Sequence, residues 1–145
     1  MHIRTASDAD FAALSELLRQ LNPDDPAPSD ASRAAFDAIL MAPNLHLFVA
    51  EDADGLCGTC YLNVLPNLSR AGRPYALIEN VVTDAARCGQ GIGEKLMQTA
   101  LAAAREAGCY KVMLLSGRHD PRVHAFYRKC GFDGDEKQAY VIRMP

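Results

Sequence analysis

The sequence predicts a mixed α/β fold, formed as one domain across residues 1–145. The length and an apolar content of 49% are sufficient for a single sizeable core. Apolar residues at helical spacing alternate along the chain with short apolar runs that are typical of strands. The resulting order is strand, two helices, three strands, helix, strand, helix and strand. Hairpins in the middle of this order and crossover connections after them indicate a mixed sheet with helices packed on it.

The chain is expected to open with a strand at residues 2–5, followed by a helix. Ser7 is a typical helix N-cap, and Asp10 three residues later completes a variant of the capping box. Apolar side chains recur at helical spacing up to Leu21, and the Asn-Pro pair after it ends the helix. The proline-rich residues 22–28 are predicted to form a loop.

A second helix and a hairpin are predicted next. The helix begins near Ser29 and ends before Pro43. Residues 45–51 and 56–65 carry strand patterns on either side of a turn at residues 52–55, where Gly supplies positive φ. The two strands are therefore predicted to pair with each other.

The second half of the chain is predicted to alternate strands and helices. Residues 75–83 form an apolar strand, and apolar side chains four residues apart predict a helix over residues 92–107. A short strand at residues 111–116 and a short helix at residues 121–130 follow. We expect a closing strand at residues 139–144.

A glycine-rich loop at residues 87–93 stands between a strand and a helix, which suggests a phosphate site. Its glycines expose the backbone N–H groups at the helix start, which are unpaired and lie at the positive end of the helix dipole. A nucleotide P-loop is excluded because Lys95 has no Gly before it and no Ser or Thr after it. The dinucleotide fingerprint is excluded because Gly93 follows Gly91 after one residue, where that pattern requires two.

Residues 78–93 resemble the acetyl-coenzyme A motif of the GNAT superfamily of N-acetyltransferases. In that motif, Arg or Gln precedes two variable residues, a Gly, one variable residue and a Gly or Ala. Residues 123–132 resemble the family's second marker, a helix with a Phe-Tyr pair that ends in Gly-Phe, and the two markers stand in the family's order. The resemblance implies a central mixed sheet of about six to seven strands flanked by about four helices. It also implies acetyl-coenzyme A as co-substrate and no metal.

The same resemblance implies which residues hold the coenzyme. The strand backbone would align the pantetheine arm, and the loop N–H groups would hold the pyrophosphate. Cys88 stands where the family prefers Arg or Gln, with Arg87 one residue early, and Asp120 stands where the family often has Asn. The implied coenzyme-binding residues are Val81, Val82, Thr83, Cys88, Gly89, Gln90, Gly91, Ile92, Gly93 and Asp120.

Two residues are candidates for proton transfer. By resemblance, Tyr127 is the general acid for the leaving thiolate; the alternative is a core aromatic that packs beside Phe126. Glu79 is a carboxylate in an apolar strand, where burial would raise its pKa and suit it to take the proton of the amine, directly or through water. The alternatives for Glu79 are a structural charge paired with an arginine and a solvent-facing strand residue. Weaker candidates for the base are Tyr61, Tyr75 and His119.

The bulk properties limit the partners and the location. A net charge of −3 argues against a surface that coats nucleic acid. The N-terminus lacks the apolar stretch of a signal peptide, and the apolar runs fall far short of the roughly 20 residues that cross a bilayer. Five scattered cysteines fit reduced thiols, and Cys57 and Cys60 lack a second Cys/His pair for a metal site. We therefore expect a cytoplasmic protein without a membrane, nucleic-acid or metal partner.

The predicted function is N-acetyl transfer from acetyl-coenzyme A to a primary amine of a small molecule, directly within a ternary complex. Two short runs, residues 78–79 and 108–112, resemble the amino-sugar-phosphate branch of the family. Two alternatives remain open: an acetyltransferase acting on protein lysines or N-termini, and a non-catalytic acyl-coenzyme A-binding regulatory module. Assembly as a homodimer is also left open.

Overall fold

The computed structural model describes residues 1–117 and 119–145. They form two compact units, Met1–Leu114 and Leu115–Pro145. Within the described residues, the first unit holds a five-stranded sheet and helices α1 to α3, and the second unit holds helix α4. The strands are β1 His2–Thr5, β2 Leu45–Asp52, β3 Gly55–Leu65, β4 Tyr75–Thr83 and β5 Val112–Leu114. The helices are α1 Phe11–Leu21, α2 Asp30–Met41, α3 Ile92–Glu106 and α4 Pro121–Lys129.

The sheet is mixed, with strand order β1-β2-β3-β4-β5. Neighbouring strands are antiparallel except for β4 and β5, which are parallel. The predicted hairpin is confirmed, because β2 pairs with β3 around a turn in which Gly55 has a φ of 113°. The predicted fold class is therefore confirmed, with five strands in the described residues instead of about six to seven.

Helices α1 and α2 pack on one face of the sheet. The approach to α1 confirms the predicted capping-box pair, since the Ser7 N–H donates a hydrogen bond of 2.7 Å to Asp10 Oδ2. A 3-10 turn at Asp8–Asp10 leads directly into α1. The buried side chains that join these helices to the sheet are Ala6, Leu14, Phe36, Leu47 and Val49.

Helix α3 packs on the opposite face, closest to β3. A Cβ atom added at Gly58 would lie 2.8 Å from Ile92 Cγ2 and 2.9 Å from Leu96 Cδ1. Gly58 lies opposite Ala50 in the ladder, so the two residues share a face of the sheet. Val49, which precedes Ala50 in β2, belongs to the core on the other face. The missing side chain at Gly58 therefore lets the first turn of α3 approach the sheet closely.

The predicted closing strand at residues 139–144 is wrong. The structure describes these residues, and they form no strand. Tyr140 and Ile142 are 89% and 80% exposed, so the run buries neither of its faces. The apolar run at residues 139–144 misled the prediction for two reasons. Its apolar residues are consecutive, so they do not alternate with polar ones to mark one buried face. A strand also needs a neighbouring strand to which it can hydrogen-bond.

Candidate active site

Strand β4 carries a bulge in the middle of its predicted coenzyme-binding segment. Tyr61 lies opposite Glu79 and Thr59 lies opposite Val82, so β4 has one more residue than β3 in this interval. Asn80 provides the bend with a φ of 53°, in the left-handed region that residues other than glycine rarely adopt. Since directly opposed residues share a face, the bulge brings Glu79 and Val82 to the same face of the sheet.

The second half of β4 leaves its β5 neighbour. The parallel pairing joins Ala76–Ile78 to Val112–Leu114 and ends there, because β5 has only three residues. Alternate backbone groups of residues 79–83 point away from β3. Among the described residues of Met1–Leu114, no strand lies on that side to pair with them. This stretch therefore offers an open backbone edge to a ligand that can add hydrogen bonds along it.

The glycine loop turns from β4 into the first turn of α3. Gly89 and Gly91 have φ values of 82° and 75°, so both positions require a conformation that glycine adopts without strain. Gly91 is the N-cap of α3, and Ile92, the first helical residue, is 2% exposed. The first N–H groups of a helix have no partner within the helix, and such groups commonly bind anions; here they lie next to the open edge of β4.

The two side chains before the loop glycines point in different directions. Cys88 is exposed, with its Sγ 3.6 Å from the Asp84 carbonyl oxygen. The Arg87 side chain is only 18% exposed and forms ion pairs with carboxylates, the closest being Asp52 Oδ1 at 3.2 Å. This ion pair was not predicted from the sequence. The feature of the sequence that could have indicated it is the position of Arg87, one residue before the family's usual arginine.

Glu79 is half-buried on the face that α1 covers. No Arg, Lys or His within the described part of the chain forms an ion pair with it, so the alternative of a structural ion pair has no partner there. Tyr61 stands directly opposite Glu79 across the ladder, and burial raises the pKa of its hydroxyl. Asn80, by contrast, is exposed.

Tyr127 and Asp120 belong to the second unit. Tyr127 is half-buried, and its ring centroid lies 5.1 Å from Phe126 and 6.3 Å from Phe132. Asp120 is the N-cap of α4 and accepts a hydrogen bond of 2.9 Å from the Arg122 N–H. Its carboxylate also forms a 2.8 Å ion pair with Arg122 Nη2. Asp120 thus orders the helix that carries Tyr127.

The cysteine pair of β3 is placed for packing. The Cys57 thiol lies 3.4 Å from the Ala50 carbonyl oxygen, and the Cys60 thiol lies 3.7 Å from that of Leu96. Both side chains are buried, and burial raises the pKa of Cys60 to about 12. In the part of the chain that the structure describes, no group of three or more His, Cys, Asp or Glu side chains could hold a metal ion. No helix there has both the length and the apolar character to cross a bilayer.

Comparisons with known proteins agree with this geometry. The sequence profile described as Acetyltransferase (GNAT) family matches residues 11–132. Glucosamine 6-phosphate N-acetyltransferase 1 of Oryza sativa subsp. japonica is 37% identical over 120 residues, which cover 80% of this chain and 70% of that protein. Aminoglycoside N(6')-acetyltransferase type 1 of Stenotrophomonas maltophilia is 30% identical over 99% of this chain and 92% of its own length.

A solved structure from Agrobacterium tumefaciens, described as an acetyltransferase, superimposes on this chain with a TM-score of 0.93 and 47% identity. The match covers 99% of this chain and 100% of the other. The sequence profile, the relatives and this structure lead to one assignment. The chain belongs to the GNAT family of acetyltransferases.

Proposed function

We propose that the protein transfers an acetyl group from acetyl-coenzyme A to a primary amine of a small molecule, directly within a ternary complex and within one domain of residues 1–145. The observation that carries this proposal is the bulged, open edge of β4, which runs directly into an anion-binding helix start. A long ligand with an amide-containing arm and a pyrophosphate matches both parts, because amide groups pair with a strand edge and phosphates with a helix start.

The residues present fit this coenzyme, which would supply an activated acetyl thioester. The backbone of Val81, Val82 and Thr83 would hydrogen-bond the amide groups of its arm. The unpaired N–H groups around Gly89 and Gly91 would hold the pyrophosphate. The loop and α3 residues proposed to contact it are Cys88, Gly89, Gln90, Gly91, Ile92 and Gly93, and Asp120 is proposed as a further contact from the N-terminus of α4.

Two side chains are proposed to move protons. A primary amine is protonated at neutral pH, so it must lose a proton before it can attack. Glu79 is proposed to accept that proton, directly or through water, because it is half-buried beside the open edge and forms no ion pair with a cationic side chain in the described part of the chain. Tyr127 is proposed to give a proton to the thiolate that leaves, because the Phe-Tyr pair of α4 and the Gly-Phe pair that follows the helix resemble the family's second marker.

An amine on a sugar ring is the acceptor that the comparisons support best. The curated relatives described above are named for glucosamine 6-phosphate and for aminoglycosides, and both substrates carry amino groups on sugars. We further propose a cytoplasmic location, since Cys57, Cys60, Cys88 and Cys109 are free thiols, as expected in a reducing compartment.

The test is release of free thiol from acetyl-coenzyme A with a panel of amino sugars, aminoglycosides, lysine peptides and simple amines. We expect release with at least one amino sugar. Glu79→Gln and Tyr127→Phe should each lower kcat by about a hundredfold, the usual effect of losing a general base or acid. Glu106→Gln and Tyr140→Phe are matched controls at exposed positions and should retain full activity.

Other outcomes would overturn the proposal in distinct ways. Turnover with peptides alone would redirect it to a protein acceptor. Tight binding of acetyl-coenzyme A without turnover on any amine would support a non-catalytic binding module. A protein that binds no coenzyme A would contradict the assignment of the β4 edge and the glycine loop.

A further inference from the structure

The segment that leads into the glycine loop is anchored from two sides of the first unit. The Asp84 N–H donates to the Cys57 carbonyl oxygen at 3.0 Å, which fixes the segment to β3. From α1, Gln20 accepts a 2.9 Å hydrogen bond from the Ala85 N–H and donates a 3.4 Å hydrogen bond to Asp84 Oδ1. Asp84 also accepts from the Ala86 N–H at 3.1 Å. These bonds hold residues 84–86 in a defined turn.

Arg87 adds a third anchor, to the turn between β2 and β3. Its guanidinium lies 3.2 Å from Asp52 Oδ1, 3.8 Å from Asp54 Oδ2 and 3.9 Å from Asp84 Oδ2. The Nη1 atom is fully buried and, within the described structure, has the Asp52 ion pair but no hydrogen bond of good geometry. The side chain is therefore directed into the protein, where one positive charge stands among three carboxylates.

We infer that Arg87 is a positioning residue for coenzyme binding, which sets the conformation and the local charge of the glycine loop without contacting the coenzyme. The backbone N–H groups of the loop then carry the contact with phosphate without help from a guanidinium, because the Arg87 side chain pairs with carboxylates and position 88 is a cysteine. This inference rests on the proposed function insofar as the ligand of the loop is coenzyme A.

Two physical effects follow from this placement. Without Arg87, the segment before Gly89 loses its link to the β2–β3 turn, so coenzyme binding must also order the loop. The carboxylates of Asp52, Asp54 and Asp84 would also be left without their counter-charge near an anion site. Like charges within about 8 Å are poorly screened at physiological ionic strength. Both effects weaken coenzyme binding, and neither acts on the amine.

The decisive experiment compares Arg87→Gln, Arg87→Lys and the control Arg105→Gln, an exposed arginine at the far end of α3. Calorimetry gives the Kd for coenzyme A and for 3'-dephospho-coenzyme A, and steady-state kinetics gives kcat and both KM values. For Arg87→Gln we expect both Kd values and the KM for acetyl-coenzyme A to rise about tenfold, as for a lost supporting contact. We expect kcat and the KM for the amine to stay within about twofold of the wild type.

The Arg87→Lys variant separates charge from geometry. It keeps the counter-charge but lacks the planar fork of arginine, so it should recover part of the affinity, with a weaker salt dependence than Arg87→Gln. If Arg87→Gln does not fold, the same comparison with Arg87→Lys decides the question. Arg105→Gln should leave every binding and kinetic constant unchanged.

The ratio of the two Kd values tests the inference most directly. A positioning residue leaves the preference for the 3'-phosphate as it is in the wild type, whereas loss of a direct contact with the 3'-phosphate moves the ratio towards one. A ratio of the two Kd values close to one in Arg87→Gln would overturn the inference. So would a lower melting temperature with an unchanged KM for acetyl-coenzyme A. Absence of coenzyme binding by the wild type would instead contradict the proposed function.

Discussion

Arg4 and Arg87 are both surrounded by carboxylates at the same end of β2, yet they are held in different ways. Arg4 donates short hydrogen bonds of 2.7 and 2.9 Å to the two oxygens of Asp10 and one of 2.6 Å to Glu51. Arg87 meets its closest carboxylate, Asp52, at 3.2 Å. Glu51 and Asp52 are consecutive residues, so adjacent positions of one strand serve two different arginine clusters.

The difference shows how the same residue types can serve stability or a ligand site. Short, forked hydrogen bonds to a carboxylate are strong and directional, and they fix the geometry of both partners. Longer ion pairs supply charge with less restraint on position. The Arg4 cluster joins β1, β2 and the start of α1, whereas the Arg87 cluster lies directly before a loop that is proposed to bind an anion. We therefore expect disruption of the first cluster to reduce stability and disruption of the second to reduce coenzyme affinity.

The largest effect on stability is expected from Arg4→Met. Asp10 is only 7% exposed, so loss of its partner would leave a nearly buried carboxylate without a counter-charge. Breaking such a pair costs about 3 kcal/mol of the free energy of unfolding. Urea unfolding followed by circular dichroism measures this change, with Arg105→Gln as a control that should lose no more than about 0.5 kcal/mol. A loss below about 1 kcal/mol for Arg4→Met would mean that the two clusters do not differ in the proposed way.

The next effect is an acid-dependent loss of stability that originates at Asp10. The hydrogen bond from Arg4, assisted by the Ser7 N–H, lowers the pKa of Asp10 from 3.8 to about 2 in the folded protein. The group therefore stabilises the fold above pH 4, and this contribution of about 2 kcal/mol is lost as the pH falls from about 4 to 2. Urea unfolding at pH 5 and pH 2.5 should show a larger decline for the wild type than for Asp10→Asn. Equal declines would contradict the assignment.

The smallest effects come from a matched pair of adjacent substitutions. Glu51→Gln weakens a 2.6 Å charged hydrogen bond from Arg4 at a side chain that is 35% exposed, so it should lower stability by the larger amount of the two. Asp52→Asn keeps the oxygen that accepts the Asp54 N–H and leaves Arg87 two other carboxylates. It should therefore cost less than about 0.5 kcal/mol. Differential scanning fluorimetry of both variants measures the contrast, and a greater loss for Asp52→Asn would reverse the comparison.

The elements that define the fold could be predicted from the sequence because their signals are local. The hairpin turn at residues 52–55, the capping pair of Ser7 and Asp10, and the strand, glycine loop and helix around residues 75–107 all depend on nearby residues. Turn chemistry, helix capping and periodicity act over a few positions, so they can be read without knowledge of the tertiary structure.

Features of the candidate site that depend on distant contacts could not be predicted. The pairing of Arg87 with Asp52 spans 35 sequence positions and arises only when the hairpin turn meets the glycine loop. The bulge at Asn80 is also invisible in the sequence, since only its register against β3 reveals the extra residue. At residues 139–144 the local signal predicted an element that does not form. The composition is typical of a strand, but in the described structure the segment has no neighbouring strand to pair with.

Cys88 also makes the glycine loop accessible to selective chemistry. It is the exposed cysteine of the five, whereas Cys57 and Cys60 are buried and Cys109 and Cys130 are partly buried. Burial raises the pKa of Cys57, Cys60 and Cys109, which leaves less of the reactive thiolate at neutral pH. A maleimide fluorophore would therefore attach first at Cys88, beside Gly89. The native chain thus carries its own attachment point for an optical reporter of the loop, without any engineered cysteine.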